Sequence, residues 1–417
     1  MKVLSFLDGL GIGGTEKAAC LWAVGLHQRN HDVHVMALED GPRRARLEST
    51  GISVSIVAAN AEKIADHLNA ISPDIIHIHA PGFPHAGDVL GVALKRLSKK
   101  IPVVETNIFG RLKNRPAQEW TDFRLYVSWT SSVQAAQRSF QPLDENFFRK
   151  QSVAVYPIDP DDGPSQDEIS AWRKRCGVQS DEILFGRYSR PEPNKWTDLP
   201  LAAFRRALSR EPRLKLLLRE PPPKIAQQLK EDPHSNRFLV LKATSDPTEL
   251  RLSMAAVDAV LHASSIGESF GYGIAEPMNY GKPVIVHSVP WIDQAQLELA
   301  RHEECGLHAS TESTMAEAIL RLANDSQFRL RLGDNARRHI RDVAGIEQSL
   351  DRLESALQAT LASKDNPLLT EDLERARAAA AYLDAHQFGH TLGEQFALRP
   401  FYYRVRFHQW RHHFGAN

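Results

Sequence analysis

Cysteine is scarce: Cys20, Cys176 and Cys305 stand far apart in a chain of 417 residues. Such spacing supplies neither a disulfide framework nor a cysteine-based zinc site, so a reducing cytoplasm is the expected compartment. Net charge is missing too, since 51 Lys and Arg balance 51 Asp and Glu. Without an excess of positive charge there is no bulk field to gather nucleic acid, and none is expected as a partner. No run of about 20 apolar residues occurs, so nothing reads as a membrane span. The opening run Met1-Lys2-Val3-Leu4-Ser5-Phe6-Leu7 is ended by Asp8 and is too short for a signal peptide. The eighteen histidines show no ligand spacing, and no resident metal is expected.

What is present is an apolar fraction of 42%, enough at this length to fill two or three cores. Short apolar runs predict strands at 2–7, 32–38, 52–57, 74–77, 102–105, 124–128 and 152–156, with helical patterns between them, for example at 61–70 and 87–97. The breaker-rich, acidic segment 157–164 reads as the approach to a linker. A second alternation follows, with strands at 182–187, 215–218, 238–241, 257–262 and 283–286 and closing helices at 314–323 and 327–341. Alternation of this kind defines an α/β fold with mostly parallel sheets, covered on both faces. We expect two Rossmann-like domains, 1–165 and 166–345, facing a central cleft, followed by a C-terminal region at 346–417.

The densest chemistry lies in Ser264-Ser265-Ile266-Gly267-Glu268-Ser269-Phe270-Gly271-Tyr272-Gly273-Ile274-Ala275-Glu276-Pro277-Met278. A strand precedes it and a helix-like segment and another strand follow, a βαβ unit whose ligands gather at the carboxyl ends of the strands. Gly267, Gly271 and Gly273 let backbone approach a ligand, and the helix start offers N–H groups to an anion. Glu268 and Glu276 could accept hydrogen bonds from hydroxyls while those amides face phosphate, and a sugar nucleotide presents both. The bland alternative is a pair of solvated helix charges. Against it, no other charged residue separates the two glutamates.

Two further turns carry signals. Gly9, Gly11 and Gly14 fit G-x-G-x-x-G after a strand, and Glu39-Asp40 end the next strand, so an NAD-dependent oxidoreductase is the main rival. The same turn, with Gly13-Gly14-Thr15-Glu16, equally suits a substrate entering from the opposite domain. In Phe185-Gly186-Arg187-Tyr188-Ser189-Arg190-Pro191-Glu192-Pro193-Asn194-Lys195-Trp196, three cations follow a strand end within nine residues, suited to clamping a diphosphate. A merely solvated loop is the alternative, disfavoured by Trp196 and two prolines.

Taken in order, Gly13-Gly14-Thr15-Glu16, Gly186-Arg187 with Lys195, and Glu268-x7-Glu276 resemble the retaining glycosyltransferases of GT-B fold, family 4, over about residues 1–345. The segment Thr244-Ser245-Asp246-Pro247 with Glu249-Leu250 and Ala256-Val257-Asp258 also looks like that family. The resemblance implies that Glu268 contacts the donor sugar near its anomeric centre and that Glu276 binds the nucleotide ribose. Amides at Ser269, Phe270 and Gly271 would face sugar and phosphate, and Arg187 or Arg190 with Lys195 would stabilise the leaving diphosphate without a metal. It further implies retention of anomeric configuration, with a nucleoside-diphosphate sugar as donor substrate and no cofactor. The expected acceptor is a glycan or lipid-linked saccharide, on the side of the N-terminal domain. Many members carry a histidine where this chain reads Asn107; Asn107 could hydrogen-bond a hydroxyl there but cannot act as a base. His79 is a second acceptor-side candidate, whereas His77 is a core residue by alternation. A non-catalytic sugar-nucleotide or glycan-binding protein is the remaining alternative.

Asp159-Pro160-Asp161 matches a metal-binding Asp-x-Asp pattern but falls in the linker. From Arg399 to Phe414 no acid occurs, while Arg399, Arg404, Arg406 and Arg411 interleave with Phe401, Tyr402, Tyr403, Phe407, Trp410 and Phe414. Such a tail either packs its aromatics on the folded body, or contacts a membrane at its inner face or a lipid-linked acceptor, or binds single-stranded nucleic acid.

Overall fold

The alternation becomes two parallel sheets. The computed structural model describes residues 1–80, 88–112, 120–159, 161–244 and 246–414, without the side chains of 409 and 412–414; Pro160, Ser245 and the start of the helix expected at 87–97 fall outside the described residues. Two compact units emerge, Met1–Asp159 with Ala344–Ala380, and Pro160–Val343 with Ala381–Asn417.

The first unit contains β1 (Lys2–Gly9), β2 (Asp32–Glu39), β3 (Ser53–Ile56), β4 (Ile75–Ala80), β5 (Val103–Asn107), β6 (Phe123–Tyr126) and β7 (Gln151–Val153). Their order is β3-β2-β1-β4-β5-β6-β7, parallel throughout. The second unit contains β8 (Ile183–Tyr188), β9 (Leu214–Arg219), β10 (Phe238–Leu241), β11 (Ala259–His262), β12 (Gly267–Glu268), β13 (Val284–His287), β14 (Asp293–Gln294) and β15 (Gly306–Ala309). Six of them form the parallel order β10-β9-β8-β11-β13-β15, and β12 pairs with β14 in a separate ribbon. Chain order reverses between β1 and β4 in one sheet and between β8 and β11 in the other, and crevices open beyond the strand ends at such points. Mostly apolar runs make these strands: β4, β8 and β9 are buried at every position, as helices on both faces require, with His77, His79, Arg187, Lys215 and Arg219 buried among the apolar side chains.

Three strands were not legible as apolar runs. β12 and β14 have two residues each, and β15 opens on a glycine whose absent side chain lets Val284 O come within 2.6 Å of where a Cβ would stand. The residues after 345 also depart from expectation, because they do not form one terminal region. Helix Ile346–Leu361 returns to the first unit against helix Gly14–Gln28. Trp22 Nε1 donates to Ser349 Oγ at 2.8 Å, and Arg29 pairs with Glu347, Asp351 and Glu354 at 2.6–2.7 Å. Gly25 makes the approach possible: a Cβ there would lie 2.4 Å from Leu350 Cδ1. The Asp-x-Asp pattern is structural, with Asp159 paired to Arg46 at 3.5 Å and Asp161 accepting from Tyr280 Oη at 2.8 Å.

The last segment joins the second unit through histidines that sequence spacing did not connect. Ring nitrogens of His302, His308 and His390 lie within 4.8 Å of one another. His302 and His390 stack at 3.5 Å, and the main-chain N–H of His308 donates to His302 Nδ1 at 2.9 Å. In this arrangement the stacked rings of His302 and His390 hold their in-plane lone pairs nearly parallel rather than converging on one point. Burial holds His302 down to about 4, drives His308 well below the ordinary histidine range and lowers His390, with Glu303 and Glu394 opposing this in part. Unfolded histidines take their protons near 6.5, so between about 6.5 and 4 the unfolded chain binds more protons than the native one. Stability is therefore expected to fall as pH drops through that window. Thermal melting across it checks this, and a midpoint independent of pH would contradict it.

Candidate active site

β8 and β11 are neighbours at the reversal point of the second sheet, with Ala259 opposite Phe185 and Val260 opposite Gly186. The loops leaving their carboxyl ends, 189–196 and 263–271, are therefore side by side although about 70 residues apart in sequence. Hydrogen bonds lace them together. Asn194 O accepts from the Ser265 N–H at 3.2 Å and from Ser265 Oγ at 2.6 Å, and Arg187 Nη2 donates to Lys195 O at 3.0 Å and Ala263 O at 2.6 Å. Trp196 Nε1 donates to Arg190 O at 2.7 Å, turning the loop around the indole.

At the centre stands Glu268. Lys195 Nζ donates to its Oε2 at 2.9 Å, and His262 Nε2 lies 3.2 Å from Oε1 as a close polar contact. The Glu268 N–H donates to Gln296 Oε1 at 3.1 Å, fixing the backbone that carries the carboxylate. Burial alone would raise the Glu268 pKa, but Lys195 and His262 outweigh it and hold the group down to about 2. His262 is lowered by its own burial, with Glu268 pulling the other way. The site thus presents a fixed anion beside an ammonium, both mostly buried, where fields are stronger than in water.

Gly267 and Gly271 take φ of +73° and +106°. Gly271 caps helix Tyr272–Asn279, whose first N–H groups have no partners within the helix. Gly273 lies against β8: a Cβ there would stand 2.4 Å from Tyr188 O. Ser269 is half-buried, Phe270 is buried with its ring 5.1 Å from that of Tyr272, and Glu276 is half-buried one turn into the helix. The loops thus bring Glu268, Ser269, Phe270, Gly271, Glu276, Lys195 and Arg190 to one strand-end region. Arg190 is exposed and pairs with Glu192 at 3.1 Å.

Arg187 is held through one nitrogen only, while its Nε and Nη1 are buried with no hydrogen-bond partner among the described residues. It is 0% exposed, stacks 4.4 Å over Trp196, and burial pushes its guanidinium down to about 9. Its two carbonyl contacts make it the strut that positions Lys195. Of the two arginines read from the sequence, Arg190 is the one open to solvent.

In the first unit, Gly13 precedes helix Gly14–Gln28 and a Cβ there would collide with Glu16 at 2.3 Å. Arg43, not singled out by any motif, donates to the carbonyls of Gly11, Ile12 and Gly13 at 2.9–3.3 Å and pins the glycine turn. Asn107 is already committed: its Nδ2 donates to Glu105 Oε1 at 3.2 Å and Arg111 O at 3.0 Å, and its Oδ1 accepts from the Arg111 N–H at 3.3 Å. In this conformation it holds the loop after β5 with both Nδ2 hydrogens used, and its Oδ1 keeps one lone pair. His77 bonds Thr106 Oγ1 at 2.7 Å in the core. His79 is 3% exposed at the end of β4, packed against Trp22, His77 and Tyr156. Motif reading missed His262, Gln296 and Arg43. Only the polar ending of an apolar strand, Leu261-His262, gave any signal.

Two doubly wound parallel sheets, the second carrying a Glu-x7-Glu helix start beside a lysine loop, define a glycosyltransferase of the GT-B class. The model of the glycosyl transferases group 1 matches residues 168–339, and that of Glycosyltransferase Family 4 matches residues 12–129. The chain belongs to this family, which sets aside the oxidoreductase reading of the glycine turn. Solved structures agree on the fold. Anabaena HepE in complex with UDP superposes with a TM-score of 0.70 at 21% identity, covering 86% of this chain and 100% of HepE. Sucrose-phosphate synthase of Thermosynechococcus elongatus gives 0.67 at 16%, covering 87% and 100%. WaaG, a glycosyltransferase involved in lipopolysaccharide biosynthesis, gives 0.59 at 16%, covering 84% and 98%. No curated protein matches the sequence.

Proposed function

We propose that the chain is a retaining glycosyltransferase that moves a sugar from a nucleoside diphosphate to a glycan or lipid-linked saccharide. The observation that carries the reading is the Lys195–Glu268 pair at 2.9 Å, set at the end of β11 where a glycine-capped helix begins. Anabaena HepE, solved with UDP and with UDP-glucose, has this fold, and a nucleotide sugar fits the chemistry of the pair. Glu268, held ionised, would stabilise positive charge developing at the anomeric carbon. Lys195 with Arg187 or Arg190 would meet the negative charge growing on the departing diphosphate, the electrostatic contribution expected to dominate. These cations supply what a metal would otherwise provide, so the reaction is read as metal-independent. A carboxylate between an ammonium and an imidazole suits charge stabilisation on the leaving-group face, and retention follows from a front-face path. His79 would serve the acceptor side, and the turn at Gly13 and Gly14 would meet the donor substrate.

Glu276 is assigned to the nucleotide ribose. Calorimetry of UDP, GDP, ADP and NAD with the wild type and Glu276→Ala tests the assignment. One nucleoside diphosphate should bind, weakened about tenfold to a hundredfold in the variant, as loss of a charge-assisted hydrogen bond predicts. Affinity for every nucleotide unchanged by the substitution would remove Glu276 from the site. The anomeric coupling of the product by NMR decides retention.

A further inference from the structure

The final helix, Leu392–Phe414, has two apolar faces rather than one. Glu394 is buried and Leu398, Tyr402 and Val405 are half-buried, so this side lies on the second unit. Glu394 fastens it there, accepting from Ser310 N at 3.2 Å and Thr314 Oγ1 at 2.8 Å. Phe401 adds an edge contact to Trp291 at 4.6 Å. On the far side, Leu392, Phe396, Tyr403, Phe407 and Trp410 are all exposed, Phe396 by 78% and Phe407 by 63%. At 100° per residue these five positions fall within about 60° of arc, one continuous stripe along the helix. Arg404 and Arg411 border the stripe on one side, Arg399 and Arg406 on the other. No Asp or Glu follows Glu394 in the sequence.

Scattered exposed apolar side chains are ordinary, but a stripe of four aromatics and a leucine facing away from its own domain is not. We infer that this stripe is an interfacial anchor that lays the helix in the surface of an anionic lipid bilayer. Aromatic rings would enter at the boundary between headgroups and acyl chains, and the flanking arginines would meet lipid phosphates. Charge complementarity selects lipid over a second copy of the chain, since two such stripes meeting would bring eight arginines together. The inference refines the membrane reading of the tail by naming the face, and it does not depend on the transferase chemistry.

The test is flotation of the full chain with phosphatidylcholine vesicles, with and without phosphatidylglycerol. Wild type should bind vesicles containing phosphatidylglycerol, with partitioning about tenfold lower for Phe407→Ala/Trp410→Ala and falling with added salt. Arg404→Glu/Arg411→Glu should lose the preference for phosphatidylglycerol. Both variants should melt like the wild type, because these side chains are exposed. Absence of vesicle binding by the wild type, or binding unaffected by the aromatic substitutions, would overturn the inference. So would concentration-dependent self-association that the aromatic variant abolishes in a protein that ignores vesicles, which would give the stripe to a second copy.

Discussion

Replacing Glu268 by Gln is expected to lower the transfer rate by about 10²- to 10³-fold while the fold persists, the scale seen when one preorganised electrostatic partner is lost. Gln preserves shape and can still accept from Lys195 Nζ, which lies 2.9 Å from the carboxylate. What disappears is the fixed negative charge. Because Lys195 and His262 hold the carboxyl down to about 2, it is ionised at every working pH. Activity should therefore show no ionisation of Glu268 between pH 4 and 8. Its ionic contribution to stability is present above the ordinary carboxylate range and lost only as pH falls towards 2. Lys195→Met attacks the same pair from the other side, leaving a buried carboxylate without its cation and raising its pKa. Single-turnover kinetics of both variants, with nucleotide binding measured alongside, separates lost chemistry from lost affinity. Wild-type rates in either would remove the pair from the mechanism.

Gly267→Ala is expected to cost more in stability than any other single added methyl in this region. Gly267 has φ +73°, and a Cβ would lie 1.8 Å from Asp293 O, a backbone atom of the paired strand β14. A flexible side chain could swing aside, whereas this carbonyl is held in the ladder between β12 and β14. Left-handed strain adds about 1–3 kcal/mol, and forcing the ribbon apart adds about the same again. Gly177→Ala is the internal control. It shares the left-handed backbone at φ +69° but has nothing within 4 Å of the new methyl, so it should show the backbone strain alone. Melting temperatures of the two variants check the difference, and activity should fall with stability only in Gly267→Ala, because Glu268 is the next residue. Equal losses would mean that the close approach to Asp293 is relieved cheaply.

Local patterning determined most of the framework. Apolar stretches within 74–77 and 215–218 marked the strands that extend over Ile75–Ala80 and Leu214–Arg219. Residues whose type is demanded by local backbone, Gly267 and Gly271, were visible for the same reason, as were Glu268 and Glu276 beside them. Tertiary structure decided what depends on neighbours distant in sequence. It gave His262 to the same carboxylate as Lys195, and drew Gln296 beneath the Glu268 amide. It separated Arg187 from Arg190, since two arginines three residues apart differ only in whether the strand has ended. It divided the last 70 or so residues between two units through Trp22, Arg29 and a set of histidines. The final helix shows the limit most simply. Its composition announced basic and aromatic residues, but only packing one side against the second unit determined which face was left for something else to cover.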